Sequence, residues 1–371
     1  MDTSDKSSTR FIPPWKGNEL NTAIYYSPAF LEHDPGPDHP EVPQRLKAIT
    51  SELARSSLLE SEKCSYVQPK PAKGEDLRLV HEIDYIELVR KASASGGGVI
   101  DLGDTVVSQR SYEVAVLSAG ALIDAVTLVA SEKAKNAFAL VRPPGHHAGA
   151  YYALGFCLFN NIAIGASHLL NRLDFDRVLI LDIDAHHGNG TQEIFYGTDR
   201  VLYVSLHEDP SGFPGTGFMD EVGEGRGLGY TVNVPLPFRT DNTTYQRAFD
   251  EIVMPIASQY RPEFVLVSAG FDGHYSDAIG DLALSTKSYE ETFAKIVNLA
   301  DHSCRGRLVA SLEGGYSLNI LGKLATSAIA KMARAFYALD DSRPSSNLRT
   351  LKKAEQTINS VRNIQSSYWK L

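Results

Sequence analysis

Short β-branched, apolar runs alternate along the chain with longer segments whose apolar positions recur at helical spacing. The runs predict strands at residues 22–26, 137–141, 177–183, 200–206, 230–234, 264–269 and 307–312. The longer segments predict helices at 77–93, 111–131, 156–171, 243–260, 288–303 and 320–339. Segment 111–131 carries Val114, Leu117, Ala121, Ala125 and Leu128 on one helical face. Such alternation implies an α/β fold of three layers, a mainly parallel sheet covered by helices on both faces. No repeat, low-complexity block or Pro/Gly/Ser linker splits the chain, so one catalytic domain is expected over 21–340. A flexible N-terminal segment over 1–20 is expected to precede it. A helical extension over 341–371 is expected to follow, with Ala354, Ile358, Val361 and Ile364 in helical register, packed on the domain or on a second subunit.

Composition narrows the class only a little. The 371 residues are 43% hydrophobic and 22% charged, as in an ordinary globular protein. A formal net charge of −9 leaves no electropositive excess to displace counterions, so direct nucleic-acid binding is not expected. Cys64, Cys157 and Cys304 are an odd, scattered set without CxxC spacing, which reads as reduced thiols. The polar N-terminus has no secretion-signal core, and no stretch was expected to reach the roughly 20 apolar residues of a membrane span. A cytoplasmic protein without membrane contact is the expectation.

The chemistry lies just after the apolar runs. Arg177–Ile180 leads into Leu181-Asp182-Ile183-Asp184-Ala185-His186-His187-Gly188-Asn189-Gly190. If strand pairing continues to His186, Asp182, Asp184 and His186 alternate onto one side, giving half of a divalent-metal site. Three further motifs follow apolar runs: Arg142-Pro143-Pro144-Gly145-His146-His147, Ala269-Gly270-Phe271-Asp272-Gly273-His274 and Leu312-Glu313-Gly314-Gly315-Tyr316. In a parallel sheet all four meet at one edge, where α/β proteins bind ligands. Metal ligands with spare imidazoles favour metal-assisted hydrolysis over a structural metal.

These motifs resemble the zinc-dependent histone deacetylases and acetylpolyamine amidohydrolases, above all class II-like bacterial and archaeal members. The resemblance runs from about Tyr25 to Tyr316 and takes in His33–Pro40, Pro43-Gln44-Arg45, Gly155-Phe156-Cys157, Ser205-Leu206-His207 and Phe213–Gly217. It implies Asp184, His186 and Asp272 as zinc ligands. One imidazole and two carboxylates leave a coordination position open, and so oxygen-rich a set could also take Fe²⁺. The resemblance further implies His147 as general base and acid, His146 held by Asp182 as its tuning partner, and Asn189 orienting His147. Class I members carry Asp at the Asn189 position. Tyr316 corresponds to the tyrosine that stabilises the oxyanion. Asp182, Ser205 and Leu206 correspond to K⁺ ligands, the first of two expected sites, with a second near Phe195, Thr198 and Val201. Phe156 and Phe213 correspond to the walls of an acyl-lysine tunnel, Gly155 to a carbonyl that takes the amide N–H, and Ile279 to a residue at the mouth. His33, His39 and Arg45 are expected to line the rim and rear, His168 to be structural, His207 and His274 to support the site residues from behind, and Tyr151-Tyr152 to depart from the family loop.

The implied activity is removal of acetyl or another acyl group from lysine ε-amines, with homo-oligomer formation possible. The alternative substrate is an acetylated polyamine, for which Glu208 and Asp277 could supply acidic groups at the rim. An arginase-like binuclear manganese centre would need a second carboxylate where His274 stands. A non-catalytic acyl-lysine reader would be expected to have lost Tyr316 or a zinc ligand.

Overall fold

The computed structural model describes residues 20–101, 103–339, 341–342 and 344–371; nearly all of the expected segment 1–20 lies outside the described residues. The expected runs form strands β1 (Leu20–Tyr25), β5 (Ala134–Ala139), β6 (Val178–Asp182), β7 (Val201–Glu208), β8 (Thr231–Leu236), β9 (Phe264–Ala269) and β10 (Leu308–Leu312), and three short strands not expected from the sequence join them, β2 (Cys64–Val67), β3 (Gly97–Val99) and β4 (Val106–Ser108). Eight of them pair in parallel in the order β2-β1-β5-β10-β9-β6-β7-β8, while β3 and β4 form a small antiparallel hairpin. Every residue of β6, β7, β9 and β10 is buried, which is why these strands read as predominantly apolar runs. Helices such as Ser111–Ala130, Asn161–Arg172, Thr286–Cys304 and Leu318–Met332 cover the sheet and share its core.

Several boundaries differ from expectation. The helix expected over 77–93 is split into Gly74–Leu77 and Ile83–Ala94. In the gap His81 turns inward, with Nδ1 2.9 Å from the Gly149 carbonyl and Nε2 accepting the Asn160 N–H at 2.9 Å. The helix expected from 156 starts at Asn161, where the Asn160 side chain caps the Ala163 N–H at 3.0 Å. Phe156 sits at φ 69°, a left-handed conformation incompatible with a helix interior. Segment 243–260 is one helical rod whose middle, Phe249–Val253, is wound as a π-helix. The last helix of 320–339 stops at Met332.

One sequence expectation changes in the fold, and one open alternative is decided. Helix Ser111–Ala130 is long and apolar enough to cross a membrane. In the fold, Val114, Ala115, Ala119, Leu122, Ala125 and Val126 are buried in the protein core instead. The tail helix, Leu348–Gln365, packs on the sheet edge. Gln365 Nε2 donates to the Thr231 carbonyl at 3.2 Å, and the Trp369 indole N–H donates to Gly229 at 2.9 Å.

Candidate active site

The four motifs follow β5, β10, β9 and β6, which are consecutive neighbours at the centre of the sheet. Their polar residues therefore meet at one carboxyl edge. The convergence does not come from continued strand pairing, since β6 ends at Asp182 and the chain bends through 184–186. Side-chain-to-backbone bonds shape the bend. Asp184 Oδ1 accepts the His186 N–H at 2.9 Å, Asp184 Oδ2 accepts the Gly314 N–H at 2.8 Å, and Asp272 Oδ1 accepts the Ala185 N–H at 2.9 Å.

Asp184, His186 and Asp272 offer one ligand atom each, all within 4.8 Å of one another. His186 Nδ1 lies 3.3 Å from Asp184 Oδ1 and 3.0 Å from Asp272 Oδ2. The surroundings are built for close approach of backbone. A Cβ on Gly270 would sit 2.0 Å from Asp184 Oδ2, and one on Gly314 would sit 2.6 Å from oxygens of both aspartates. Burial and the adjacent Asp184 charge raise the Asp272 carboxyl to about 6. Two buried carboxylates facing a single imidazole are one cation short, so the set fits a divalent metal.

The histidine pair stands beside this centre, with ring centroids 3.9 Å apart. His146 Nδ1 lies 3.1 Å from Asp182 Oδ2. Burial opposes protonation of His146, but Asp182 and Asp184 outweigh it and raise the ring to about 10. His147 goes the other way, pushed well down by burial and then by the neighbouring His146 charge. Its Nδ1 lies 2.8 Å from Asn189 Oδ1. The two rings are thus pushed in opposite directions, His146 toward the protonated form and His147 toward the neutral form that can accept a proton.

Tyr316 completes the ring of chemistry. Burial pushes its phenol well up, so it remains a donor. Its ring is edge-on to Phe156 at 5.7 Å, while Phe213 stands 5.0 Å from His147 and 5.9 Å from His186. A Cβ on Gly155 would meet His147 at 2.4 Å and Phe213 at 3.1 Å, so Gly155 lies between the two. Ile279 is 39% exposed on the same rim, as is Phe213. On the K⁺ positions, the strand register sets Asp182 opposite Ser205, with Leu206 next along β7. Ser205 Oγ is also 2.7 Å from His207 Nδ1, whose Nε2 meets the Gly217 carbonyl at 2.9 Å.

Other residues occupy places the sequence did not disclose. Glu313 is fully buried, and its Oε2 accepts the N–H groups of Gly145 and His146 at 2.7 and 3.2 Å, fixing the loop that carries the histidines. Glu41 is buried between Arg45 and Arg142 at 2.9 and 2.5 Å, with His33 at 3.3 Å. Arg45 donates to the Gly315 carbonyl at 2.6 Å and lies 4.7 Å over the Tyr316 ring. Glu208 and Asp277 are not free rim carboxylates. Glu208 is buried, its Oε2 taking the Asp281 N–H at 2.5 Å and its Oε1 3.7 Å from His186 Nε2. Asp277 Oδ2 takes the N–H groups of Tyr316 and Ser317 at 2.6 and 2.8 Å, and its Oδ1 takes that of Ile279 at 3.1 Å. His168 and His274 bond Thr127 and Asp341, both away from the centre, at 3.3 and 2.7 Å.

Sheet and site together define a hydrolase with a carboxylate–imidazole metal centre at the carboxyl edge of a parallel sheet. Residues 39–332 match the histone deacetylase domain, and the chain belongs to that family. It is 40% identical over 358 residues to a probable deacetylase of Archaeoglobus fulgidus, covering 94% of this chain and 99% of that protein. It is 38% identical over 280 residues to a histone deacetylase-like amidohydrolase of Pseudomonas aeruginosa, covering 76% and 72%. Among solved structures, the HD domain of HDA15 superposes with a TM-score of 0.85 at 36% identity, covering 94% of this chain and 95% of that one.

Proposed function

We propose that this protein is a zinc-dependent deacylase acting on the ε-acetyl-lysine side chain. The observation that carries the reading is the meeting of Asp184, His186 and Asp272 with a neutral His147 and a protonated Tyr316 at one strand edge. A divalent metal held by those three residues would supply Lewis-acid polarisation of an amide carbonyl and would lower the pKa of a water. Asp184 and Asp272 favour Zn²⁺ or Fe²⁺ equally by charge. His147 Nε2 takes the proton of the attacking water and returns it to the departing amine. The Tyr316 hydroxyl donates to the oxygen that gains charge. His146, held by Asp182, stands beside His147 and tunes its charge and orientation. Phe156 and Phe213 flank the four-carbon stem, and the Gly155 carbonyl receives the amide N–H. K⁺ between Asp182 and the β7 backbone at Ser205 and Leu206 would balance the buried charge.

Lysine is favoured over an acetylated polyamine because the two carboxylates that could attract a second ammonium, Glu208 and Asp277, are spent on backbone N–H groups. The apolar Ile279 occupies the rim instead. A cytoplasmic enzyme working on protein lysines, without contact to nucleic acid or membrane and able to self-associate, is the cellular reading. The test is kcat/KM on acetyl-lysine peptides against acetylputrescine and acetylspermidine, with Tyr316→Phe as control. Preference for peptides is expected. Preference for polyamines would overturn the substrate assignment, and equal inertness of wild type and Tyr316→Phe would overturn the activity.

A further inference from the structure

A hydrogen-bonded chain leads from the candidate base to the surface: His147, Asn189, Tyr152, Glu193. Asn189 Oδ1 is 2.8 Å from His147 Nδ1, Asn189 Nδ2 donates to Tyr152 Oη at 3.1 Å, and Tyr152 donates to Glu193 Oε2 at 2.7 Å. Asn189 and Glu193 are four residues apart on helix Asn189–Phe195, one turn that brings both side chains to the tyrosine. The loop before them is shaped to admit the ring. A Cβ on Gly149 would sit 2.3 Å from the Tyr152 ring, and the Gly149 N–H donates to the Tyr152 carbonyl at 3.1 Å.

We infer that Tyr152 and Glu193 are positioning residues that set the tautomer of His147. The inference rests on the deacylase reading. The logic is one of donors and acceptors. An ionised carboxylate only accepts, so the single Tyr152 O–H points at Glu193. Tyr152 Oη is then left as an acceptor for the Asn189 NH₂ group, which also lies 3.5 Å from the His147 carbonyl. That turns Asn189 Oδ1 toward His147 and requires the ring proton on Nδ1. The Nε2 lone pair is thereby left free on the side of the substrate. An amide, unlike a carboxylate, can be flipped. A chain using Asn at this position needs something to hold it, and Tyr152 with Glu193 does so. Burial, followed by Glu193, pushes the Tyr152 phenol up, so the O–H remains a donor.

The test uses zinc-loaded full-length protein labelled with ¹⁵N-histidine, with His147 assigned by its loss in His147→Gln. Long-range ¹H–¹⁵N spectra distinguish Nδ1–H from Nε2–H without turnover. Wild type should show the Nδ1–H form alone. Glu193→Leu, which lets the Tyr152 O–H rotate toward Asn189, and Tyr152→Phe should both introduce the Nε2–H form. Both should lower kcat about tenfold, the order an outer hydrogen-bond partner contributes, with KM little changed. In an Asn189→Asp background, where the partner accepts from either oxygen, the further loss on Tyr152→Phe should fall below about twofold. An Nδ1–H spectrum unchanged in both variants, or an equal loss in the Asn and Asp backgrounds, would overturn the inference. A wild type with the Nδ1–H spectrum but no acyl-amine turnover would instead overturn the deacylase reading.

Discussion

Tyr316 is the single side chain on which the proposed chemistry is most exposed to test. Its ring packs edge-on against Phe156, its backbone N–H is tied to Asp277, and Arg45 lies over its ring, so the phenol is placed by three independent contacts. Removing only the hydroxyl leaves that placement intact. Tyr316→Phe should therefore lower kcat by about 10²–10³-fold, the cost of one oxyanion donor, while KM stays near wild type. Steady-state kinetics on an acetyl-lysine peptide reads this, and a loss confined to KM would contradict the role. Residues of this kind are legible in sequence when their partners are local. Asp184 and His186 share one short segment, and His146 and His147 another, each following an apolar run. Glu313 and Glu41 were not legible in the same way. Glu313 serves Gly145 across 168 residues of chain, and Glu41 serves Arg142 across 101, separations at which no spacing rule operates. Glu208 was misplaced for a related reason, because a carboxylate after a strand looks exposed until the neighbouring Asp281 loop is seen to cover it.

Strand ends and the turns that follow them fix how the candidate metal ligands approach one another. The centre depends on two glycines whose missing side chains let backbone close on the carboxylates. At Gly314 the N–H donates to Asp184 Oδ2 at 2.8 Å, and there is no room for a methyl group above Asp184 and Asp272. Gly314→Ala must push the β10 turn away from both ligands. Metal affinity should fall about 10–100-fold, as for other partners that orient ligands, with the fold retained. Competition with a chromophoric chelator measures this independently of turnover, and an unchanged affinity would show that the turn yields freely. The central strands were legible because β6, β7, β9 and β10 are buried along their length and are mostly apolar, whereas the short, part-exposed β2, β3 and β4 carry no such run. The breaks in the helices were not, because their causes lie elsewhere: His81 bonds Gly149 and Asn160, and Phe156 takes a left-handed conformation at a turn. Helix Gln44–Arg55 was overlooked although Leu46, Ile49 and Leu53 mark its buried face at helical spacing.

The molecule as a whole is tied together beneath the site by a charge cluster that joins its N-terminal segment to two strand ends. Glu41 links Arg45 on helix Gln44–Arg55, which reaches the Gly315 carbonyl after β10, to Arg142 after β5, whose guanidinium also meets the Phe30 and His33 carbonyls at 3.0 and 3.1 Å. All three side chains are fully buried, so losing the carboxylate strands two cations in the core. Glu41→Gln should destabilise the fold by about 3–5 kcal/mol at pH 7 in urea unfolding, the usual cost of breaking a buried pair. The pH dependence then separates charge from packing. Burial alone would raise the Glu41 carboxyl, but Arg142, His33 and Arg45 outweigh it and hold it far below its ordinary 4.5. A depressed folded-state value means the stabilisation is complete above the unfolded value and drains away as pH falls below it. The gap between wild type and Glu41→Gln should therefore be constant from pH 7 to about 5 and shrink by about 1.4 kcal/mol per pH unit below about 4.5. A gap that stayed constant down to pH 3 would mean that Glu41 acts by shape alone. The tie between the N-terminal segment and the catalytic edge would then be one of packing, with its charge incidental.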